Sequence, residues 1–208
     1  MGEPLRFVFP SVLFACALVM SACDDESHCY DCGGFPGPYA DPTSPENQIQ
    51  NIETAYQNRD CQGYAGLLAP EFTFHFQPYD ANTLGISFWA HDPDSAGTCA
   101  LFRSSDVSDI RISLLNLVPD SIDASPPVDS LKIRISTVDL QVDQTDGVTW
   151  TVSDQQDLFF RKGLSAKGEN PNHWWIYEWD DLPTLARPAW PQEVRSTTWG
   201  RLKTFYVN

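Results

Sequence analysis

The apolar positions of this chain change period as it proceeds, and the changes mark out its elements. Ser44-Pro45-Glu46 opens a helix: serine can cap it, proline is pre-set for the first turn, and an acid suits the helix N-terminus. Ile49, Ile52 and Tyr56 follow at i, i+3 and i+7, which makes one apolar face. Asn58, Arg59 and Asp60 break the stripe, and a short second helix is expected over 62–68, ended by Pro70. Phe72, Phe74 and Phe76 then alternate with Thr73, His75 and Gln77, the pattern of a half-buried strand. A short helix is expected around 84–89, and another over 95–103, capped by Asp94.

From there the period falls to two. Ile110, Ile112 and Leu114 share a phase before Leu115 and Leu117 change it; Leu131, Ile133 and Ile135 do the same before Val138, Leu140 and Val142. A one-residue slip of this kind reads as a β-bulge, which bends and twists a strand. Asp146-Gly147 is a good hairpin turn, and Asn170, Pro171 and Asn172 turn the chain into a last strand over 173–182. Residues 183–208, rich in proline and polar groups, are expected to trail along the surface as a C-terminal extension. Helices followed by a long bent sheet predict an α+β domain over 45–182, with N-terminal helices packed on a strongly curved, mostly antiparallel sheet.

Two segments, NIETAYQNRDCQGYAGLLAPEFTFHF (51–76) and HWWIYEWDDL (173–182), resemble the NTF2-like (SnoaL-like, cystatin-fold) superfamily. That resemblance implies a cone of curved sheet cupping helices, with a pocket between them. It also implies two classes of role, since some members are isomerases, hydrolases or dehydratases and many are non-catalytic binding or assembly domains. The pattern holds no diagnostic catalytic signature, so it bears on fold more than on function.

Ahead of the domain, residues 7–20 (FVFPSVLFACALVM) are free of charge and follow Arg6. As a helix they would span roughly 21 Å, short of the roughly 30 Å hydrocarbon core, so they suit a signal-peptide h-region. Met20-Ser21-Ala22-Cys23 resembles the lipobox of bacterial lipoproteins. The resemblance implies cleavage after Ala22, a diacylglyceryl group on Cys23 and an acylated new amino terminus. The chain is then expected to hold the cell envelope's lipid bilayer through Cys23, with 1–22 as signal peptide and 23–44 as a flexible tether. Asp24 follows the lipid cysteine, as in enteric lipoproteins kept at the inner membrane.

Export makes disulfides permissible. Cys29 and Cys32 would form a local pair and Cys61 and Cys99 would staple the domain, although other pairings of the four fit the sequence equally. Cys29-x-x-Cys32 also has a zinc-like spacing, with Cys23 and His28 beside it. No second Cys-x-x-Cys faces it and few apolar residues surround it, so no metal is assigned. A net charge of −15 argues against nucleic acid as a partner.

Candidates for chemistry are few. Asp154 and Gln156 share phase with Val148, Trp150, Val152, Leu158 and Phe160, so an unbroken strand would aim them into the cone. Buried polar groups there must find partners or line a wet cavity. A bulge near 153–156 would turn them out instead. His75 joins them as a pocket candidate, although its phase opposes that of the phenylalanines. His91-Asp92-Pro93-Asp94 reads as turn and cap chemistry, and Trp174, Trp175 and Trp179 read as packing on the two faces of a strand. No nucleophile elbow, phosphate loop, HExxH or EF-hand loop occurs, and no catalytic residue or cofactor is assigned. The expected function is a lipid-anchored, non-catalytic binding or assembly module for a small molecule or an envelope protein. Its alternative is a pocket enzyme of isomerase or hydrolase type. A protein-binding role would show exposed rings from Trp174, Trp190 or Trp199.

Overall fold

The computed structural model describes residues 38–120, 129–183 and 194–207. The expected signal peptide and the cysteines Cys23, Cys29 and Cys32 lie outside the described residues, as does Trp190. The described end of the expected tether does not hang free. The Tyr39 hydroxyl donates to Asp60 at 2.8 Å, Asn51 clasps the backbone of Ala40, and Trp174 N–H donates to the Pro42 carbonyl at 2.7 Å.

Helix α1 (Pro45–Asn58) starts as its sequence dictates, with the Ser44 hydroxyl accepting from Asn47 N–H. Ile49, Ile52 and Tyr56 are buried on one side. Arg59 ends it in the left-handed region (φ 52°), and its guanidinium donates to the carbonyls of Phe102, Ser104 and Val107. Helix α2 (Cys61–Ala65) is shorter than expected, because Leu68 and Ala69 already belong to strand β1 (Leu68–His75), which carries Pro70 within it. Residues 78–90 form helix α3 (Pro78–Leu84) and edge strand β2 (Phe88–Ala90) in place of a helix over 84–89. Helix α4 (His91–Arg103) begins at His91, so Asp94 sits inside it and caps nothing.

Strands β3 (Val107–Asp120), β4 (Ser130–Gln144), β5 (Thr149–Val152), β6 (Gln155–Lys162) and β7 (Trp174–Leu182) follow, then β8 (Val194–Thr197) and helix α5 (Trp199–Thr204). The sheet order is β2-β1-β7-β6-β4-β5-β8, with β3 on the other side of β4. The sheet is mixed: β1 runs parallel to β7 and β5 parallel to β8, while the other pairings are antiparallel. The β4–β5 hairpin turns at Asp146-Gly147 as expected, with Gly147 at φ 86°.

The phase slips are real, but they are not independent bulges. On β3 Leu114 and Leu117 face the core, and on β4 Val138 and Ile135 lie opposite them. Register therefore runs unbroken from Asp109↔Asp143 to Asp120↔Lys132. Asn116 takes the left-handed conformation (φ 56°) and its amide donates to Thr137 at 2.8 Å. The bend continues into the next strand, where Ser153-Asp154 interrupts the run between β5 and β6. Three strands fold along one line, and the sheet curves around the helices.

The C-terminal extension corrects the sequence reading most. Residues 194–207 do not trail over the surface: Trp199 and Lys203 are fully buried and Leu202 is nearly so. Proline and polar content suggested a loose tail, yet the buried groups are one face of a single short helix, too brief to show a period.

Candidate functional site

The concave side of the sheet gathers acids from distant parts of the chain. Val152, Asp154, Gln156, Leu158 and Phe160 are all buried, so phase persists across the break at 153–154 and the two polar residues do face inward. Trp179 and Asp181 arrive from β7, Asp80 from α3 and Asp94 from α4, all almost wholly buried. Asp181, Asp80 and Asp94 each accept from protein donors. Gln156 Nε2 donates to Asp181 Oδ1 at 2.8 Å while its Oε1 accepts from Trp179 Nε1 at 2.7 Å. Asp80 accepts from Gln77 Nε2 and from the Thr198 hydroxyl.

Helix α5 closes the cone and, with its cap Thr198, supplies half of the answering groups. The Thr198 hydroxyl caps it by accepting from Arg201 N–H, and Gly200 N–H donates to Asp181 Oδ2 at 3.0 Å. At its far end Lys203 Nζ donates to Asp94 Oδ1 at 2.6 Å and to the Tyr64 hydroxyl at 3.2 Å, while that hydroxyl donates to Asp94 Oδ2 at 2.7 Å. The ammonium stands 4.3 Å from the centre of the Phe74 ring and 5.3 Å from that of Trp179, a cation–π arrangement inside the core. Trp199 lies between Tyr56 and Trp179, with ring centres 5.1 and 4.8 Å away. Gly200 permits this approach, since a Cβ there would meet the Phe76 ring at 2.6 Å.

Burial sets the electrostatics. The Asp181 carboxyl is pushed up to about 7 by burial, opposed by the Gly200 N–H and reinforced by the charge of Asp154. Burial also lowers Lys203, against the pull of Asp94, and raises the Tyr64 and Tyr56 phenols. A carboxyl titrating near neutrality can hold or release a proton, the property a general acid–base residue needs. Here both of its oxygens are taken by protein donors, and α5 stands between it and water. Two surface depressions of about 500 and 220 Å³ lie elsewhere, beside Trp150 and Phe205 on the outer side of the C-terminal segment.

The structure brings Asp154 and Gln156 together and separates His75 from them. His75 emerges on the opposite face of β1, where its imidazole Nε2 lies 3.7 Å from Glu178 Oε1 and near Asp180. The expected Cys61–Cys99 bond is not formed: both are free thiols, with Cys61 Sγ 3.9 Å from the Cys99 carbonyl and the Cys99 thiol pushed up to about 12 by burial. Trp174, Trp175 and Trp199 are buried, so none of them offers an exposed ring. Sequence reading missed Asp80, Asp181 and Lys203, and it took Asp94 for a cap and Trp199 for a possible exposed ring. Asp181 shares the alternation of Trp179 on β7, which was the one available signal.

The arrangement is one of helices held against a mixed eight-stranded sheet, the α+β architecture expected from the sequence. Two solved structures share this fold. A proposed scytalone dehydratase of Novosphingobium aromaticivorans superposes with a TM-score of 0.54 at 10% identity, over 73% of this chain and 89% of that one. A proposed aromatic ring hydroxylase of the same species gives 0.51 at 14% identity, over 69% and 89%. An NTF2-like protein of unknown function in nutrient uptake from Rhodospirillum rubrum gives 0.46 at 14% identity, over 68% and 99%. No protein-family model matches the chain, and no curated protein matches it.

Proposed function

We propose that this chain is a lipid-anchored NTF2-like domain serving as a non-catalytic binding or assembly module in a bacterial cell envelope. One observation carries the non-catalytic half: the concave side, where a pocket enzyme would hold substrate, is filled by the chain's own helix α5 through Trp199 and Lys203. The anchor rests on the lipobox-like Met20-Ser21-Ala22-Cys23 and on the apolar run before it. Cys23 then tethers the domain to the bilayer, and the outer surfaces are left to meet a partner.

Intact mass of the protein extracted from bacterial membranes tests the anchor. A chain starting at Cys23 and carrying acyl groups supports it; an unmodified chain with another start overturns it. Hydrogen exchange tests the closed interior. The Gly200 amide and Trp199 indole should exchange only on global unfolding.

A second reading is a pocket enzyme of isomerase or hydrolase type that uses Asp154, Gln156 and Asp181. The carboxyl titrating near 7 favours it. Exchange at Gly200 much faster than global unfolding would move the balance to this reading, because α5 would then be leaving the cone. His75 has no part in it.

A further inference from the structure

We infer a divalent-cation site on the outer face of the sheet, formed by His75, Glu178 and Asp180 and suited to zinc. The three come from β1 and β7, whose parallel pairing sets Thr73 beside Glu178 and His75 beside Asp180. One donor atom from each side chain lies within 4.8 Å of the others, and His75 Nε2 is 3.7 Å from Glu178 Oε1. In a tetrahedral zinc site, with ligands about 2.0–2.1 Å from the metal, donors stand about 3.3 Å apart. Loading the site therefore requires the three half-buried side chains to draw closer by up to about 1.5 Å.

The charges nearby point the same way. Asp157, across from Asp180 on β6, is neutralised by the bidentate guanidinium of Arg134, at 2.7 and 2.6 Å. Lys132 is engaged by Asp120 at 3.0 Å. Among the described residues neither Glu178 nor Asp180 has a Lys or Arg within ion-pair distance, so two like charges face one imidazole.

The ligand set names the metal class. One imidazole nitrogen with two carboxylates suits zinc, whereas magnesium and calcium prefer all-oxygen shells. The Phe88 ring, its β2 neighbour, stands 6.4 Å from that of His75. Sites still unfilled around the metal would be open to water or to a donor from a partner. This inference does not depend on the closed cone, which lies on the other side of the same strands.

The test is calorimetric titration of the untagged full-length protein, thiols kept reduced, with Zn²⁺, alongside Asp180→Asn, His75→Ala and Cys29→Ser/Cys32→Ser. One saturable site is expected, weakened at least about tenfold by either sheet substitution and unchanged by the cysteine pair. Loading with Co²⁺ should give visible ligand-field bands without the strong near-ultraviolet absorption of a thiolate ligand. Both sheet residues are surface groups, so near-ultraviolet circular dichroism should confirm that the variants are folded. Absence of a saturable Zn²⁺ site overturns the assignment. So does binding that ignores His75 and Asp180, or that vanishes with Cys29 and Cys32.

Discussion

Strand β7 presents acids on both of its faces, and the two faces treat them in opposite ways. Inward, Asp181 meets Gln156 and Gly200, while α5 brings Lys203 to Asp94. Outward, the half-buried Glu178 and Asp180 stand beside one imidazole, that of His75. Desolvation makes the difference. A buried carboxylate must be paired or protonated, whereas an exposed one can wait for a ligand. The interior therefore meets its acids with protein donors and still leaves Asp181 with a cost of burial, whereas the outer face leaves its acids open to a ligand.

The largest expected effect lies in the buried pair. Lys203→Met should cost about 3–5 kcal/mol in urea unfolding, because it leaves Asp94 without its cation. Combining it with Asp94→Leu should recover much of that loss. A neutral single variant would mean that the ion pair does not hold α5 in place.

Next comes pH. Asp181 has a folded value near 7, raised above its unfolded one near 3.9, so its contribution is full below pH 4 and is lost as pH rises towards and through 7. The loss is on the order of 4 kcal/mol, and it should be missing from the pH profile of Asp181→Asn. Equal slopes between pH 5 and 7.5 in wild type and variant would show that this carboxyl is not strained.

Gly200→Ala should cost about 1–3 kcal/mol, since the new methyl group must displace the Phe76 ring. Smallest of all, His75→Ala should change stability by no more than about 0.5 kcal/mol in the absence of metal, as expected for an exposed site. A larger change would blur the contrast between the two faces.

What the sequence disclosed was local. The cap at Ser44, the stripe through Ile49, Ile52 and Tyr56, the alternation around Phe74 and the turn at Asp146-Gly147 each depend on a few neighbouring residues, and all are present. The inward phase of Asp154 and Gln156 was legible for the same reason. The rest depended on pairing between distant segments. Nothing near His75 announces that β7 will lie beside it in parallel, so its grouping with Glu178 and Asp180 was invisible. Lys203, in a short polar segment, reads as a surface residue until Asp94 and three aromatic rings surround it. Pro70 misled because it sits inside a strand at a point where β1 and β7 change register.

The position of α5 in the chain has a kinetic consequence. It follows every other described element, and the parallel β5–β8 pairing that leads into it joins residues far apart in sequence. During folding, the rings of Tyr56, Phe74 and Trp179 must assemble around a vacancy that only residues 194–207 can fill. A chain interrupted before that segment arrives would expose a sticky aromatic hollow lined with acids, a ready target for chaperones and proteases. Completion of this core therefore waits on residues 194–207.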